Sequence, residues 1–229
     1  DPQFGLDNGF YVFVLPGLKL VLAAVAMLLG VGLVFSVVTH VLMGGIRITM
    51  PVNGRGLFSI TKRCRRQLGI WLMLNMFAWA VRQMIGVFDQ LTVQGSRITG
   101  ASYTAVHANI PVTFIMAALT AILGVVLGIW LMRSHTLEGQ ASIGVRASAA
   151  LKAWRVPVTS IAVVVVVGLV LTVAWPVLLQ RFRVNPNAQE MESTYIQRNI
   201  DATRAAYGLD KLKTEQYKVT DKGEQGALA

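Results

Sequence analysis

Charged side chains are scarce in this chain of 229 residues, and cysteine and histidine are scarcer still. Asp, Glu, Lys and Arg make up only 14% of the residues, whereas 54% are hydrophobic. Soluble domains carry about 25% charged residues. The composition therefore excludes an ordinary soluble enzyme and indicates a membrane protein.

Residues that usually carry catalysis or bind metals are also rare. The single cysteine, Cys64, excludes an intrachain disulfide, and acylation of this thiol beside a membrane is an alternative use. His40, His107 and His135 fall in different segments, with no H-E-x-x-H motif and no cysteine pair, so no zinc site is predicted. Nucleotide-binding loops and G-x-S-x-G are absent as well. We therefore predict no catalytic residue, no metal and no cofactor.

Long apolar runs dominate what remains. A helix needs about 20 apolar residues to cross the hydrocarbon core of a bilayer. Four runs reach that length and predict an all-α, four-helix membrane bundle. Their predicted bounds are residues 17–43, 68–88, 111–132 and 156–179.

Prolines stand at the ends of these runs. Pro16 is expected to separate the first span from an interfacial aromatic segment at residues 9–15, and Pro176 to bend or end the fourth helix. Pro111 and Pro157 stand at or beside the first helical position, where the missing N–H is tolerated.

The connecting segments alternate in charge. Residues 44–67 carry six Lys or Arg and no acid, and residues 133–155 carry four, whereas residues 89–110 carry only one. Positive-inside insertion produces this pattern for four consecutive spans. It predicts a bacterial plasma-membrane protein with residues 44–67 and 133–155 in the cytoplasm and both ends of the chain outside.

The first basic segment explains much of the formal net charge of +10. We interpret it mainly as a determinant of topology, with contact to anionic lipid headgroups as an alternative. Aromatic residues are not interleaved with these cations, so nucleic acid is not an expected partner. The four residues proposed for headgroup contact are Lys62, Arg63, Arg65 and Arg66.

Polar residues inside a membrane span are costly and often functional. Asn75, Arg82 and Asp89 follow one another at intervals of seven residues, which places them along one helix face. We predict a polar seam between helices. A substrate or ion path and simple snorkelling of Arg82 are the alternatives.

Small residues offer candidate helix-packing positions. Gly124 and Gly128 form a GxxxG pair in the third span, and Gly30 and Gly32 make a smooth patch in the first. Small side chains let helix backbones approach closely in lipid.

The stretch "TYIQRNIDATRAAYGLD" predicts a short extracytoplasmic amphipathic helix at residues 194–207. Ile196, Ile200, Thr203 and Tyr207 form one stripe, which we expect to pack on other structure. Thr194 and Gln197 fit a capping box, and Gly208 fits the C-terminal stop.

Four stretches together resemble a known family: "DPQFGLDNGFY" at the start, "GASYTAVHA" at residues 100–108, "QRFRVNPN", and "YIQRNIDATRAAYGL". The chain resembles the large bacterial membrane proteins of uncharacterised protein family 0182. The resemblance implies about seven spans followed by a large extracytoplasmic region, so this chain would be the last four spans plus the start of that region. It also implies an acidic residue where Ala105 stands, which weakens any catalytic role for His107.

This reading divides the chain into an interfacial segment (1–16), a membrane domain (17–180) and the start of an extracytoplasmic region (181–229). We expect a structural or interaction subunit that anchors an extracytoplasmic domain. Its expected partners are membrane lipids, other membrane proteins and the remaining parts of its own chain. The alternative is a transporter or export component for a lipid or cell-envelope building block; an enzyme is the third reading.

Overall fold

The structure, a computed structural model, describes residues 3–48, 58–92, 100–134 and 143–209. Arg55, Arg97, His135 and the tail from residue 210 onward lie outside these ranges. Four long helices form the molecule: α1 (Leu15–Leu42), α2 (Lys62–Gly86), α3 (Ile110–Arg133) and α4 (Ile143–Leu169). Each packs on the next along the chain, and the contact between α2 and α3 is the most extensive. The prediction of an all-α membrane bundle is confirmed.

Each of the four helices is long and apolar enough to cross a membrane, and together with the helical turns that continue them they form four candidate spans. Large apolar side chains on their outer faces are exposed, as Leu20, Met27 and Phe35 illustrate on α1. Lipid chains solvate such faces as readily as protein does. The chain is therefore a multi-pass membrane protein. Its spans are Phe10–Leu42, Lys62–Leu91, Ala105–Arg133 and Trp154–Val184.

The first span begins before its predicted start and the fourth ends after its predicted end, because two prolines do not interrupt their helices. Pro16 was expected to end an interfacial segment, but the helix is continuous from Phe10 through α1. Pro176 was expected to bend or end the fourth helix, but it lies in the first turn of α5 (Trp175–Leu179) and the helix continues to Val184. Neither proline ends the helix. Pro157, expected at or beside the first helical position, lies inside α4.

A wider helical turn precedes both Pro16 and Pro176. Proline lacks an N–H and its ring crowds the carbonyl four residues earlier. In each case the residue just before the proline donates its N–H to a carbonyl five residues back, as Leu15 does to Phe10 and Trp175 to Val170. Such single π-helical turns accommodate the proline without breaking the helix. The described π-helical turns are Phe10–Val14, Ala105–Asn109, Val170–Ala174 and Gln180–Val184.

A small β-ribbon, which the sequence analysis did not predict, joins α1 to α2. Strands β1 (Ile46–Ile48) and β2 (Phe58–Ile60) pair antiparallel, with Ile46 opposite Ile60. We call this side of the bundle the ribbon end. Ile60 and Leu68 enclose Cys64, whose side chain is fully buried. Acylation of Cys64 does not fit this position, because the thiol is not accessible.

Glycines set the close contact between α2 and α3. A Cβ on Gly124 would lie 2.5 Å from the Met76 Cβ, and one on Gly128 would meet the Met73 side chain and lie 3.0 Å from the Gly69 carbonyl oxygen. Gly69 opposes Gly128 and was not identified from the sequence. These three positions therefore have no room for a larger residue unless a neighbour moves.

Of the two glycines in the α1 patch, only one lies at a close contact between helices. A Cβ on Gly32 would overlap the Trp71 ring of α2, whereas one on Gly30 would lie 4.0 Å from the Asn75 Oδ1 atom, an ordinary contact. Gly32 therefore sits where α1 and α2 approach closely, and Gly30 sits beside the polar contact of Asn75.

Helix α6 (Ala188–Ala206) covers the opposite side of the bundle, which we call the α6 end. It begins six residues before the predicted start, so Thr194 is inside the helix and the predicted capping box is wrong. Asn187 precedes the first turn and its side chain makes no capping hydrogen bond. Gly208 adopts a φ of 67°, and its N–H donates to the Ala205 carbonyl. That conformation suits the predicted glycine stop.

Candidate functional site

The candidate site is the seam between α6 and the segment that leads into α3. Glu192 of α6 is buried, and its Oε2 atom accepts a hydrogen bond from the Tyr103 N–H at 3.1 Å. The buried Thr104 hydroxyl donates to the Gln180 Oε1 atom at the end of the fourth span. These bonds join segments that are 89 and 76 residues apart in sequence. The two family-like stretches at residues 100–108 and 195–209 therefore meet here.

Aromatic rings fill the centre of this seam. The Tyr103 ring stacks on His107 with 4.1 Å between centroids, and Tyr195 meets Tyr103 edge-on at 6.3 Å. The His107 Nδ1 atom lies 3.1 Å from the Tyr103 carbonyl oxygen and 3.5 Å from the Tyr195 hydroxyl. One ring nitrogen thus contacts both tyrosines, and which one it bonds depends on the tautomer.

The Tyr195 phenol is held in its neutral form. Burial raises the pKa of Tyr195, and the nearby Glu192 and Tyr103 add to the rise, while Arg198 opposes it. Removing a phenol from water and placing it beside a carboxylate both disfavour the phenolate. Tyr195 is therefore a hydrogen-bonding and packing group in this seam at physiological pH.

Two arginines flank the tyrosines. The Arg183 guanidinium lies 5.9 Å from the centre of the Tyr103 ring, and the Arg198 guanidinium lies 5.3 Å from that of Tyr195. Such cation–π contacts are each worth about 0.5–1 kcal/mol at exposed positions. Arg198 also donates to the Gln3 Oε1 atom at 3.3 Å, which ties the start of the chain to α6.

A cleft of about 370 Å³ opens beside Arg198 at the α6 end. Amide, hydroxyl and guanidinium groups line it together with small apolar side chains, and its lining contains no acidic residue. Those that matter most for its chemistry are Gln3, Asn8, Tyr11, Tyr195, Arg198 and Asn199.

The described residues of the seam do not pair Ser102 with His107. The Ser102 hydroxyl accepts from the Ala105 N–H at 3.3 Å and is not bonded to His107. Among the described residues no carboxylate contacts His107, and Ala105 is buried. A nucleophile needs a base within hydrogen-bond reach and a third group that orients the base. The arrangement joins α6 to the bundle instead.

The α6 residues that form the seam differ from the predicted stripe. Glu192 and Tyr195 are buried and Arg198 and Asn199 are half-buried, whereas Ile196 and Ile200 are exposed. The stripe on α6 (Ile196, Ile200, Thr203 and Tyr207) faces away from the described bundle. No periodicity in this helix could reveal the seam, because its partners Tyr103 and Gln3 come from distant segments.

The three residues of the predicted polar seam, Asn75, Arg82 and Asp89, do not form one continuous set of contacts. The Asn75 Nδ2 atom donates to the Leu29 carbonyl of α1 at 3.2 Å and to the Trp71 carbonyl at 2.9 Å. Asp89, in the short 3₁₀ helix Val87–Leu91, pairs with Lys19 of α1 rather than with Arg82. Both residues thus connect α1 to α2.

Arg82 is the exception. Its side chain is exposed, and it has no hydrogen-bond or ion-pair partner in the part of the chain that the structure describes. The pairing of Lys19 with Asp89 was not predicted from the sequence, because it depends on the approach of α1 to the end of α2.

A side-chain hydrogen bond between α2 and α3 was also not predicted from the sequence. The Gln83 Nε2 atom donates to the Thr120 hydroxyl at 3.1 Å. Hydrogen bonds between helices within lipid each contribute about 0.6 kcal/mol.

The basic cluster at the ribbon end forms the first turns of α2 rather than a loop. Lys62, Arg63 and Arg66 are exposed, so contact with lipid headgroups stays a prediction for them. Arg65 is fully buried, and its Nη1 atom donates to the Ser134 carbonyl at 2.6 Å. For Arg65 the predicted headgroup contact is wrong, because its guanidinium binds the C-terminal end of α3.

Comparison with known proteins gives one consistent result. The model of the uncharacterised protein family UPF0182 matches residues 1–229. A UPF0182 protein of Bifidobacterium adolescentis is 78% identical over 229 residues, and one of Corynebacterium glutamicum is 34% identical over 209 residues. A third, from Kocuria rhizophila, is 36% identical over 231 residues. No solved structure matches the chain.

The chain corresponds to a limited part of these relatives. The alignments cover 100%, 91% and 100% of this chain but only 21%, 19% and 21% of the three proteins. The chain thus spans about a fifth of the length of the curated relatives it matches. Because the family model matches along its whole length, the chain belongs to the uncharacterised protein family UPF0182.

Proposed function

We propose that this part of the protein is a membrane anchor that holds an extracytoplasmic domain and associates with partner membrane proteins. The observation that carries the proposal is the placement of α6. One face of α6 is bonded to the bundle through Glu192 and Tyr195, while Ile196 and Ile200 on another face are exposed. A helix held in this way can transmit the position of the bundle to whatever packs on its free face.

The lateral surface of the bundle supports the second half of the proposal. The first and fourth spans bury fewer of their residues against the described chain than the third does. Both lie at the edges of the row of helices, where the remaining parts of the protein or other membrane proteins can pack. The relatives are about five times longer than this chain, so such additional parts are expected.

The charge pattern supports an orientation for this anchor. Loop cations favour the cytoplasmic side. On this basis the protein lies in a bacterial plasma membrane, with the ribbon end in the cytoplasm and the α6 end outside.

The anchor role requires that α6 be fixed to the bundle, and Glu192 tests it. Glu192→Ala removes the buried acceptor of the Tyr103 N–H and leaves that part-buried donor without its partner, which costs up to about 1–3 kcal/mol. We expect amide hydrogen exchange across α6 to accelerate about tenfold or more, while exchange in α1–α3 is unchanged. Mass-spectrometric exchange in detergent or nanodiscs measures it.

Glu190→Ala is the matched control, because Glu190 is exposed on the same helix two residues away. It removes the same charge and is expected to leave exchange unchanged. Equal protection of α6 in both variants would contradict the anchor. Recovery of the protein from mild detergent with no co-purifying membrane protein would contradict the partner association.

An export component for a lipid or cell-envelope building block is the second candidate. The specific observation in its favour is Arg82, a cation within a span that lacks a partner among the described residues. Asn75 and Asp89 argue against a continuous path, because both are bonded to α1. Export predicts that Arg82→Leu leaves the protein folded and inserted but abolishes the flux. A folded Arg82→Leu protein with unchanged export of envelope material would exclude it.

A further inference from the structure

A small pocket lies between α1 and α2 close to the α6 end. It has a volume of about 180 Å³ and is lined by residues of α1, α2 and the 3₁₀ helix that follows α2. Three of the lining residues are charged, and Leu22 and Ile85 provide apolar walls. The complete lining is Lys19, Leu22, Arg82, Ile85, Gly86 and Asp89, and we call it the Lys19–Arg82 pocket.

The charges in this pocket do not balance. Lys19 pairs with Asp89, and both side chains remain about 40% exposed in that pair. Arg82 adds a second cation with no described partner. The pocket therefore carries one excess positive charge.

The depth of the pocket places this charge near the membrane surface. The span Phe10–Leu42 has 33 residues, which is about 50 Å of helix, and the hydrocarbon core is about 30 Å thick. A centred helix extends about 10 Å beyond the core at each end. Lys19 then lies only a few ångströms inside the core boundary, within side-chain reach of the lipid phosphates.

The geometry points to a ligand. We propose that the Lys19–Arg82 pocket binds the phosphate group of an anionic membrane lipid. Guanidinium groups bind phosphate oxygens in a bidentate manner, and an ammonium adds a point charge. Leu22 and Ile85 provide apolar surface for the first carbons of the acyl chains. The proposal does not rest on either function above, because an anchor can hold a structural lipid and an exporter can hold its cargo.

Because the pocket contains two cations and one carboxylate, substitutions in it are expected to change lipid association in opposite directions. The experiment uses the protein as its cell produces it, reconstituted in vesicles of phosphatidylcholine containing a minor fraction of spin-labelled phosphatidylglycerol. The measured quantity is the fraction of labelled lipid immobilised by the protein. Arg82→Gln and Lys19→Gln each remove a cation and are expected to reduce the association constant about three- to tenfold, a range that allows for partial exposure. Asp89→Asn removes the competing carboxylate and is expected to increase it.

Arg204→Gln is the control, because Arg204 is an exposed cation on α6 outside the pocket. It is expected to leave lipid association unchanged. Unchanged association in all three pocket variants overturns the proposal, and so does a decrease with Asp89→Asn in a protein of unaltered thermal stability. If Asp89→Asn does not fold, loss of association with Arg82→Gln alone, against an unchanged Arg204→Gln, supports the site.

The source of the phosphate is tested separately. Inorganic phosphate at millimolar concentration is expected not to displace the spin-labelled lipid, because it lacks acyl chains that pack on Leu22 and Ile85. Complete displacement by inorganic phosphate would assign the pocket to a free anion and overturn the lipid assignment. Equal association of spin-labelled phosphatidylcholine and phosphatidylglycerol would also contradict it, since the excess positive charge must favour the anionic lipid.

Discussion

At the scale of single residues, Arg65 differs most from its neighbours in the basic cluster. Four nearby cations look equivalent in the sequence, yet only Arg65 points into the protein and binds the Ser134 carbonyl at the end of α3. A cation at the C-terminus of a helix compensates its partial negative charge. Arg65 therefore connects the first turn of α2 to the last turn of α3.

Arg65→Met tests this connection. The substitution keeps much of the side-chain volume but removes the charged donor, so we expect a loss of about 1.5–3 kcal/mol of unfolding free energy. Unfolding in mixed micelles with increasing dodecyl sulfate measures it. Arg63→Met, at an exposed position two residues earlier, is expected to change stability by less than about 0.5 kcal/mol. Equal effects of the two substitutions would show that Arg65 acts only through general charge.

Contacts of single residues are less predictable from sequence than the helices that carry them. Asn75 and Asp89 were identified because polar groups are rare within apolar runs, but their partners Leu29 and Lys19 lie 46 and 70 residues away. Glu192 was missed because nothing local distinguishes a buried carboxylate from an exposed one. The signal for each residue is local, whereas its role depends on which distant segment approaches it.

At the scale of elements, the contact between α2 and α3 depends on the absence of side chains at Gly69, Gly124 and Gly128. Gly124 and Gly128 were predicted from their GxxxG spacing, a pattern contained within one helix. Gly69 was not predicted, because its close contact is with Gly128 on the opposing helix. The helices themselves were predictable, since crossing a bilayer requires a long apolar run. The ends of the helices were not predictable, because a proline in a first turn and a proline that ends a helix look alike in sequence.

Gly128→Ala tests the close approach of α2 and α3. Its new methyl group would meet the Met73 side chain and the Gly69 carbonyl, so we expect destabilisation by about 1–3 kcal/mol. The same unfolding assay measures it. Gly86→Ala is the matched control, because a Cβ there has no atom within 4 Å. The helix propensity of alanine is expected to stabilise that variant by up to about 1 kcal/mol. Destabilisation by both would indicate that helix contact is not the cause.

At the scale of the whole molecule, the arrangement of the four spans allows a direct test of orientation. Cys64 is fully buried and is not expected to react with maleimides in the folded protein. Single cysteines introduced at exposed positions then report their side of the membrane. Ser193 on α6 and Lys62 at the start of α2 are exposed and lie at opposite ends of the bundle.

We expect Ser193→Cys to react with a membrane-impermeant maleimide in intact cells. Lys62→Cys is expected to react only after the membrane is permeabilised. The unaltered chain provides the background, since its only cysteine is buried. Reaction of Lys62→Cys in intact cells would reverse the orientation deduced from the loop charges and place α6 on the cytoplasmic side.

The π-helical turn Val170–Ala174 determines which way the end of the fourth span points. Gly168, just before this turn, faces Met116 of α3. Gln180, after the turn, accepts a hydrogen bond from Thr104, which directly precedes the third span. In a regular α-helix two residues with this separation point about 120° apart. The wide turn absorbs one residue and reduces that difference to about 20°. Pro176 favours the wide turn and thus directs Gly168 and Gln180 towards the same neighbouring span. In a regular helix these two residues would face different neighbours.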